Sequence, residues 1–293
     1  MGDGRFVLDA VCNLLTPEIQ DSRPAWSKDF HSQKRKTAGK APGGVPLDRQ
    51  VALMDEAGVD AALLIAPKMG RRGLEDSWEL DPRLVIDAVD AHPDRFRGLA
   101  GINPHDGVKG MKALERLVTE YGFVGAHLYP HWFGMAPDHA MYYPFYAKCA
   151  ELGVPVQMQV GRCQAYSPER PMANVGHPSA VDRLACHIPE LVIVGIHVGW
   201  PWTAEMISVA DKHRNVYIGT DAYAPKYLDA ELVHYLSTWG ADKVMFGTDW
   251  PVIPFDRTVT ETEALGIPED ALTRLFSGNA IRVFGWDAAA VAR

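Results

Sequence analysis

Two segments place chemically able side chains where an apolar run gives way to a turn. His197 ends Val192-Ile-Val-Gly-Ile-His197 and is followed at once by Gly199 and Pro201. Asp249 follows Val244-Met-Phe-Gly-Thr248 and precedes Trp250-Pro251. Facing one pocket, an imidazole and a carboxylate make a general acid/base pair. Otherwise they are a hydrogen-bonded structural histidine and a turn-capping acid. Comparable exits carry further groups. His127 and Tyr129 are two residues apart, hence on one face of a strand; either is a candidate donor or acid, with loop packing as the alternative. Val11 and Asn13 form a second same-face pair, and strand five ends at Gln157 and Gln159. Arg162 carries the planar fork that grips a substrate carboxylate bidentately, or is an exposed loop arginine. Trp132, Trp200, Trp202 and Trp250 suit a flat or cyclic organic substrate, or ordinary packing under loops, with Trp200 the one assigned to substrate.

The elements that must hold these groups alternate regularly. Nearly continuous apolar runs occur at Phe6–Leu15, Ala61–Ala66, Phe96–Ile102, Val124–Tyr129, Val154–Val160, Val192–His197, Val216–Gly219 and Val244–Gly247. Such runs are expected of parallel strands covered on both faces. Amphipathic helical patterns lie between them: Leu47–Ala57, Pro82–Ala91, Val108–Tyr121, Met141–Leu152, Ser179–Cys186, Thr203–Lys212 and Ala230–Trp239. Eight strands alternating with helices predict one (β/α)8 TIM barrel over residues 1–293, with its active site at the C-terminal strand ends. A doubly wound sheet would carry a Gly-rich turn after the first strand, and Asn13-Leu-Leu-Thr-Pro17 is no such turn. Gly58, Gly122 and Gly153 stand where helix C-caps belong, and Asp81-Pro82 where an N-cap with proline at N1 belongs. A long loop after strand one, Glu18–Gly44, is either a solvated connection or a lid. A second, Arg162–His177, follows strand five. Cys12, between two inward positions, is expected to point out toward the helices.

Composition narrows the partners. The 293 residues carry a formal net charge of −8, with 47% hydrophobic and 23% charged residues. That is an ordinary globular makeup with no electrostatic footprint for nucleic acid or an anionic membrane. No apolar run is long enough for a membrane span or a signal h-region. The four cysteines lack metal or disulfide spacing, so a reduced, cytoplasmic protein acting on a small molecule is expected.

Met54-Asp-Glu-Ala-Gly-Val-Asp60, Ile193-Val-Gly-Ile-His-Val-Gly199, Asn215-Val-Tyr-Ile218, Phe246-Gly-Thr-Asp-Trp-Pro251 and Gly278-Asn-Ala280 together resemble amidohydrolase-related proteins, in order along nearly the whole chain. The resemblance is to the aminocarboxymuconate semialdehyde decarboxylase branch, which also contains lactone hydrolases. It implies a barrel with a divalent metal held by two histidines ending strand one, a histidine ending strand five and an aspartate after strand eight, with an acid/base histidine after strand six. Here the strand-one pair falls on Val11 and Asn13, and the strand-five histidine on Gln159. The last two roles fall on Asp249 and His197. Valine cannot ligate, and neutral amides are weak substitutes for imidazole at zinc.

These substitutions predict no tightly bound catalytic metal, with one zinc or manganese ion as the alternative. The expected function is then a metal-independent hydrolase of a lactone, cyclic ester or activated C–C bond. In it Asp249 and His197 are acid/base groups, and Asn13, His127, Tyr129 and Gln159 are neutral donors to the substrate. The alternatives are a decarboxylase or lyase of an aromatic or unsaturated carboxylic acid, and a non-catalytic binding barrel. A homodimer is expected from the resemblance alone.

Overall fold

The computed structural model describes residues 5–24, 27, 44–75, 77–164 and 172–286. Most of the Glu18–Gly44 loop, with its lysines, lies outside these residues, as do Tyr166 and Arg170 of the second loop. Eight parallel strands follow one another around the sheet in chain order: β1 Leu8–Asn13, β2 Ala61–Ala66, β3 Phe96–Gly101, β4 Gly125–Leu128, β5 Val156–Gln159, β6 Ile193–Ile196, β7 Val216–Gly219 and β8 Val244–Met245. Backbone bonds from Ala10 N to the Phe246 carbonyl and from Asp249 N to the Val11 carbonyl join the first strand to the last. The fold is a single-domain (β/α)8 TIM barrel.

Helices α1 Leu47–Ala57, α2 Pro82–Ala91, α3 Gly107–Tyr121, α4 Tyr143–Leu152, α5 Pro178–His187, α6 Thr203–Lys212, α7 Ala230–Leu236 and α8 Phe255–Glu263 form the outer layer. Their ends carry the chemistry that stops them. Gly58, Gly122 and Gly153 take left-handed φ of 73°, 67° and 69° as C-caps, a region glycine enters without Cβ strain. Asp81 accepts a hydrogen bond from Arg83 N at 2.9 Å ahead of Pro82. A two-stranded hairpin, Lys68–Met69 with Trp78–Glu79, follows β2. Strands of two residues are too short to leave a periodic signal in a sequence.

Strand residues split into two cores by alternation. Leu63, Ile65, Leu99, Val194 and Ile196 fill the barrel interior, closed at the N-terminal end by Phe284 and Trp286. Ala62, Leu64 and Val156 pack outward against the helices. Cys12 belongs to the outward set, 3.5 Å from Gln50 Nε2 on α1. β1 is bulged: Asp9 pairs with Ala62 but Cys12 with Leu64, so three steps on β1 match two on β2. A bulge of this kind re-aims the side chains beyond it, and these include Asn13 at the C-terminal mouth.

Candidate active site

Three acid/base groups converge at that mouth. His197 Nε2 lies 3.1 Å from Asp221 Oδ2 and 3.8 Å from Asp249 Oδ2. Asp221 is fully buried and also accepts from the His197 backbone N–H at 3.0 Å. Asn13 donates its amide to Asp249 Oδ1 and to the Trp250 carbonyl, both at 2.9 Å. One donor atom from each of His197, Asp221 and Asp249 lies within 4.8 Å of the others.

The backbone is bent to achieve this. His197, Val198, Ala222 and Asp249 all have left-handed φ, between 49° and 67°. Non-glycine residues there store about 1–3 kcal/mol each, and such strain concentrates at functional sites. Two glycines make room for Asp221: a Cβ on Gly219 would stand 2.9 Å from Asp221 Oδ1, and one on Gly247 would stand 3.0 Å from its Cβ. Below them Asp9 accepts from Val11 N, Thr248 N and Thr248 Oγ1. Complete burial nevertheless pushes its pKa up to about 7.

The other expected site residues divide. Gln159, Arg162, His197 and Asp249 line one cleft together with Cys163, Gln164, Ala222, Tyr223 and Val252. Trp200 flanks it, its ring 5.9 Å from that of Tyr223, and its carbonyl accepts from Arg162 N. Trp250 stacks parallel on Phe255, and Trp202 packs on His177; these two are packing aromatics, as is the buried Trp132.

His127 and Tyr129 lie deeper, ring centroids 4.3 Å apart. His127 pairs with the neighbouring strand. Its Nδ1 lies 2.8 Å from Gln157 Oε1, and burial pushes its pKa down to about 3, so the ring is neutral. Burial likewise raises the Tyr129 hydroxyl well above its usual range.

Asp221 escaped the sequence reading, although a signal was present. Gly219-Thr-Asp221 after β7 repeats the Gly247-Thr-Asp249 after β8. With Asp221 counted, the donor set fits a divalent cation. Asp221 and Asp249 supply two carboxylates, and Gln159, on the wall of the same cleft, presents a buried amide that also reaches His131. The Asp221–His197 contact is at ion-pair distance but not aligned as a hydrogen bond, which leaves Asp221 Oδ2 able to accept. Carboxylate and amide oxygens suit magnesium or manganese better than zinc.

Residues 37–286 match the family described as amidohydrolase, and the chain belongs to it as an amidohydrolase-superfamily enzyme. It is 26% identical over 291 residues to a gamma-resorcylate decarboxylase of Polaromonas sp., covering 81% of this chain and 86% of that one. An uncharacterized TIM-barrel protein from Bordetella bronchiseptica superposes with a TM-score of 0.74 at 23% identity, over 98% and 99% of the two chains. A dihydroxybenzoic acid decarboxylase from Polaromonas sp., solved with manganese and 2-nitroresorcinol, superposes with a TM-score of 0.67 at 22% identity, covering 97% of each.

Two expectations are thereby corrected. The metal-independent hydrolase of a lactone, cyclic ester or activated C–C bond gives way to the decarboxylase alternative, because the curated relative matched over most of the chain decarboxylates an aromatic acid. The expected absence of a metal is overturned by the manganese in a solved relative and by the His197, Asp221 and Asp249 cluster. Val11, Asn13 and Gln159 stand where the resemblance implies histidines, but Asp221 brings a carboxylate that the ligand count left out. Among the described residues no helix is long and apolar enough to cross a membrane.

Proposed function

We propose that this enzyme decarboxylates an aromatic carboxylic acid with the help of a divalent cation. The observation that carries the reading is the His197, Asp221 and Asp249 cluster at the barrel mouth. Asp221, Asp249 and the Gln159 amide oxygen would hold the cation, which when bound neutralises and fixes the substrate's oxygens. His197 then carries the proton. It delivers it to the ring carbon bearing the carboxylate; the C–C bond breaks, its electron pair restores the aromatic ring, and CO2 leaves. Asn13 orients Asp249 through its 2.9 Å bond. Arg162 lies on the cleft wall as a cation for the substrate carboxylate. Trp200 and Tyr223 offer flat faces to the aromatic ring.

The four free cysteines suit a reducing compartment, and we place the enzyme in the cytoplasm, as a homodimer in line with its resemblance. The test is CO2 release from 2,6-dihydroxybenzoate by protein reconstituted with manganese. Turnover should fall at least about a hundredfold in Asp249→Asn and in His197→Asn. Release unchanged in either variant would remove these residues from the chemistry. No release by the metal-loaded enzyme from 2,6-dihydroxybenzoate or 5-carboxyvanillate would overturn the decarboxylase reading.

A further inference from the structure

His127 is the buried group that the proton chemistry leaves unused. It projects from β4 into the barrel, and its register partner on β5 is Gln157. Gln157 spans the interior to donate its amide nitrogen to the Ala10 carbonyl of β1 at 2.7 Å. That bond fixes the amide's orientation, because a flip would set two oxygens against each other. Gln157 therefore turns Oε1 toward His127 Nδ1. An oxygen only accepts, so Nδ1 carries the ring's hydrogen.

The neutral ring, held so by burial, then has its lone pair at Nε2. That atom is buried and has no hydrogen-bond partner among the described residues. The His127 side chain is 1% exposed and lies edge-on to Tyr129. A buried acceptor left unpaired costs about 1–3 kcal/mol. Replacing His127 by an apolar residue of similar volume would remove that cost, so an acceptor kept at this depth calls for a donor.

Resting on the decarboxylase reading above, we propose that His127 is a substrate-contacting residue whose Nε2 accepts a hydrogen bond from a ring hydroxyl conjugated to the carbon that loses its carboxylate. The chemistry gives the contact its value. Protonating that carbon spreads positive charge to the ortho and para positions, and a hydroxyl there becomes a stronger donor. A fixed acceptor on it is then worth more in the transition state than in the ground state. Gln157 is the positioning residue: it sets the tautomer, and through Ala10 it ties the acceptor to β1.

The test is equilibrium binding of 2,6-dihydroxybenzoate against 2,6-difluorobenzoate, which is similar in shape but has no donor, to manganese-loaded protein. Wild type should prefer the dihydroxy compound by about tenfold or more. His127→Leu should lose the preference, and His127→Gln, which keeps an acceptor, should recover part of it. A preference unchanged in His127→Leu, or no binding of either compound by wild type, overturns the proposal.

Should His127→Leu fail to fold, wild-type protein labelled with 15N-histidine gives the answer. The His127 signals should report hydrogen on Nδ1, and Nε2 should shift on adding the dihydroxy ligand; hydrogen on Nε2 overturns the proposal. The readout needs no turnover, so the two readings fail separately. A His127-dependent preference without CO2 release sinks the decarboxylase alone. CO2 release with a preference blind to His127 sinks this inference alone.

Discussion

At the scale of single residues, the site sets two carboxylates above a buried imidazole. Asp221 and Asp249 supply carboxylate oxygens, whereas burial pushes the pKa of the His127 ring down to about 3. His127 also couples to stability through protons. Its pKa falls from 6.5 to about 3 on folding, so the unfolded chain takes up the proton first as pH drops. The stability tied to the neutral ring is complete above pH 6.5 and is lost as pH falls toward 3. At pH 4.5 that loss amounts to about 2–3 kcal/mol. His127→Leu lacks this loss, so the stability gap between wild type and variant should change by that amount in wild type's disfavour between pH 7.5 and 4.5. Urea midpoints at the two pH values check it; a constant gap means that His127 does not keep a neutral ring in the folded protein.

At the scale of elements, two strand ends use the same three residues differently. After β7, Gly219-Thr-Asp221 folds its carboxylate back onto the His197 backbone. After β8, Thr248 is drawn down to Asp9 and Asp249 itself takes the left-handed φ. The glycine before each turn is a spacing device. Gly219→Ala puts a methyl 2.9 Å from Asp221 Oδ1, so manganese affinity should fall about 10–100-fold while the melting temperature moves only a few degrees. Calorimetric titration and a thermal scan separate the two effects. Helix caps behave more simply: Asp81→Ala removes the Arg83 N–H acceptor and should cost about 1 kcal/mol of stability with activity unchanged.

Strand and helix positions were legible because each apolar run alternates with an amphipathic one, and the glycine and Asp-Pro boundary signals act locally. His197 and Asp249 were legible for the same reason, being polar groups at the ends of apolar strands. Asp221 was not isolated because an acid after Gly-Thr reads equally well as a turn. Only the β6–β7 register shows that it reaches His197. The His127–Gln157–Ala10 bridge was out of reach too, since it joins strands 1, 4 and 5 across the interior.

At the scale of the whole molecule, the proposed cation, held between residues that follow β7 and β8, would bind the folded barrel and not the unfolded chain. Free manganese at a hundred times its dissociation constant should then stabilise the protein by about 2.7 kcal/mol. A rise in melting temperature that saturates with manganese and disappears in Asp221→Asn checks this; an equal rise in the variant places the ion elsewhere.

β8 is only two residues long, so much of the barrel's closure falls on what comes after it: Asp249 N to the Val11 carbonyl, Thr248 to Asp9, Asn13 to Asp249. The bonds that shut the cylinder are also the bonds that aim the acid. Any fluctuation that parts the first strand from the last therefore dismantles the site in the same event. The amide hydrogens of Thr248, Asp249 and Trp250 should exchange with solvent together, at the rate at which activity is lost under mild denaturant and well before the β2–β3 amides exchange.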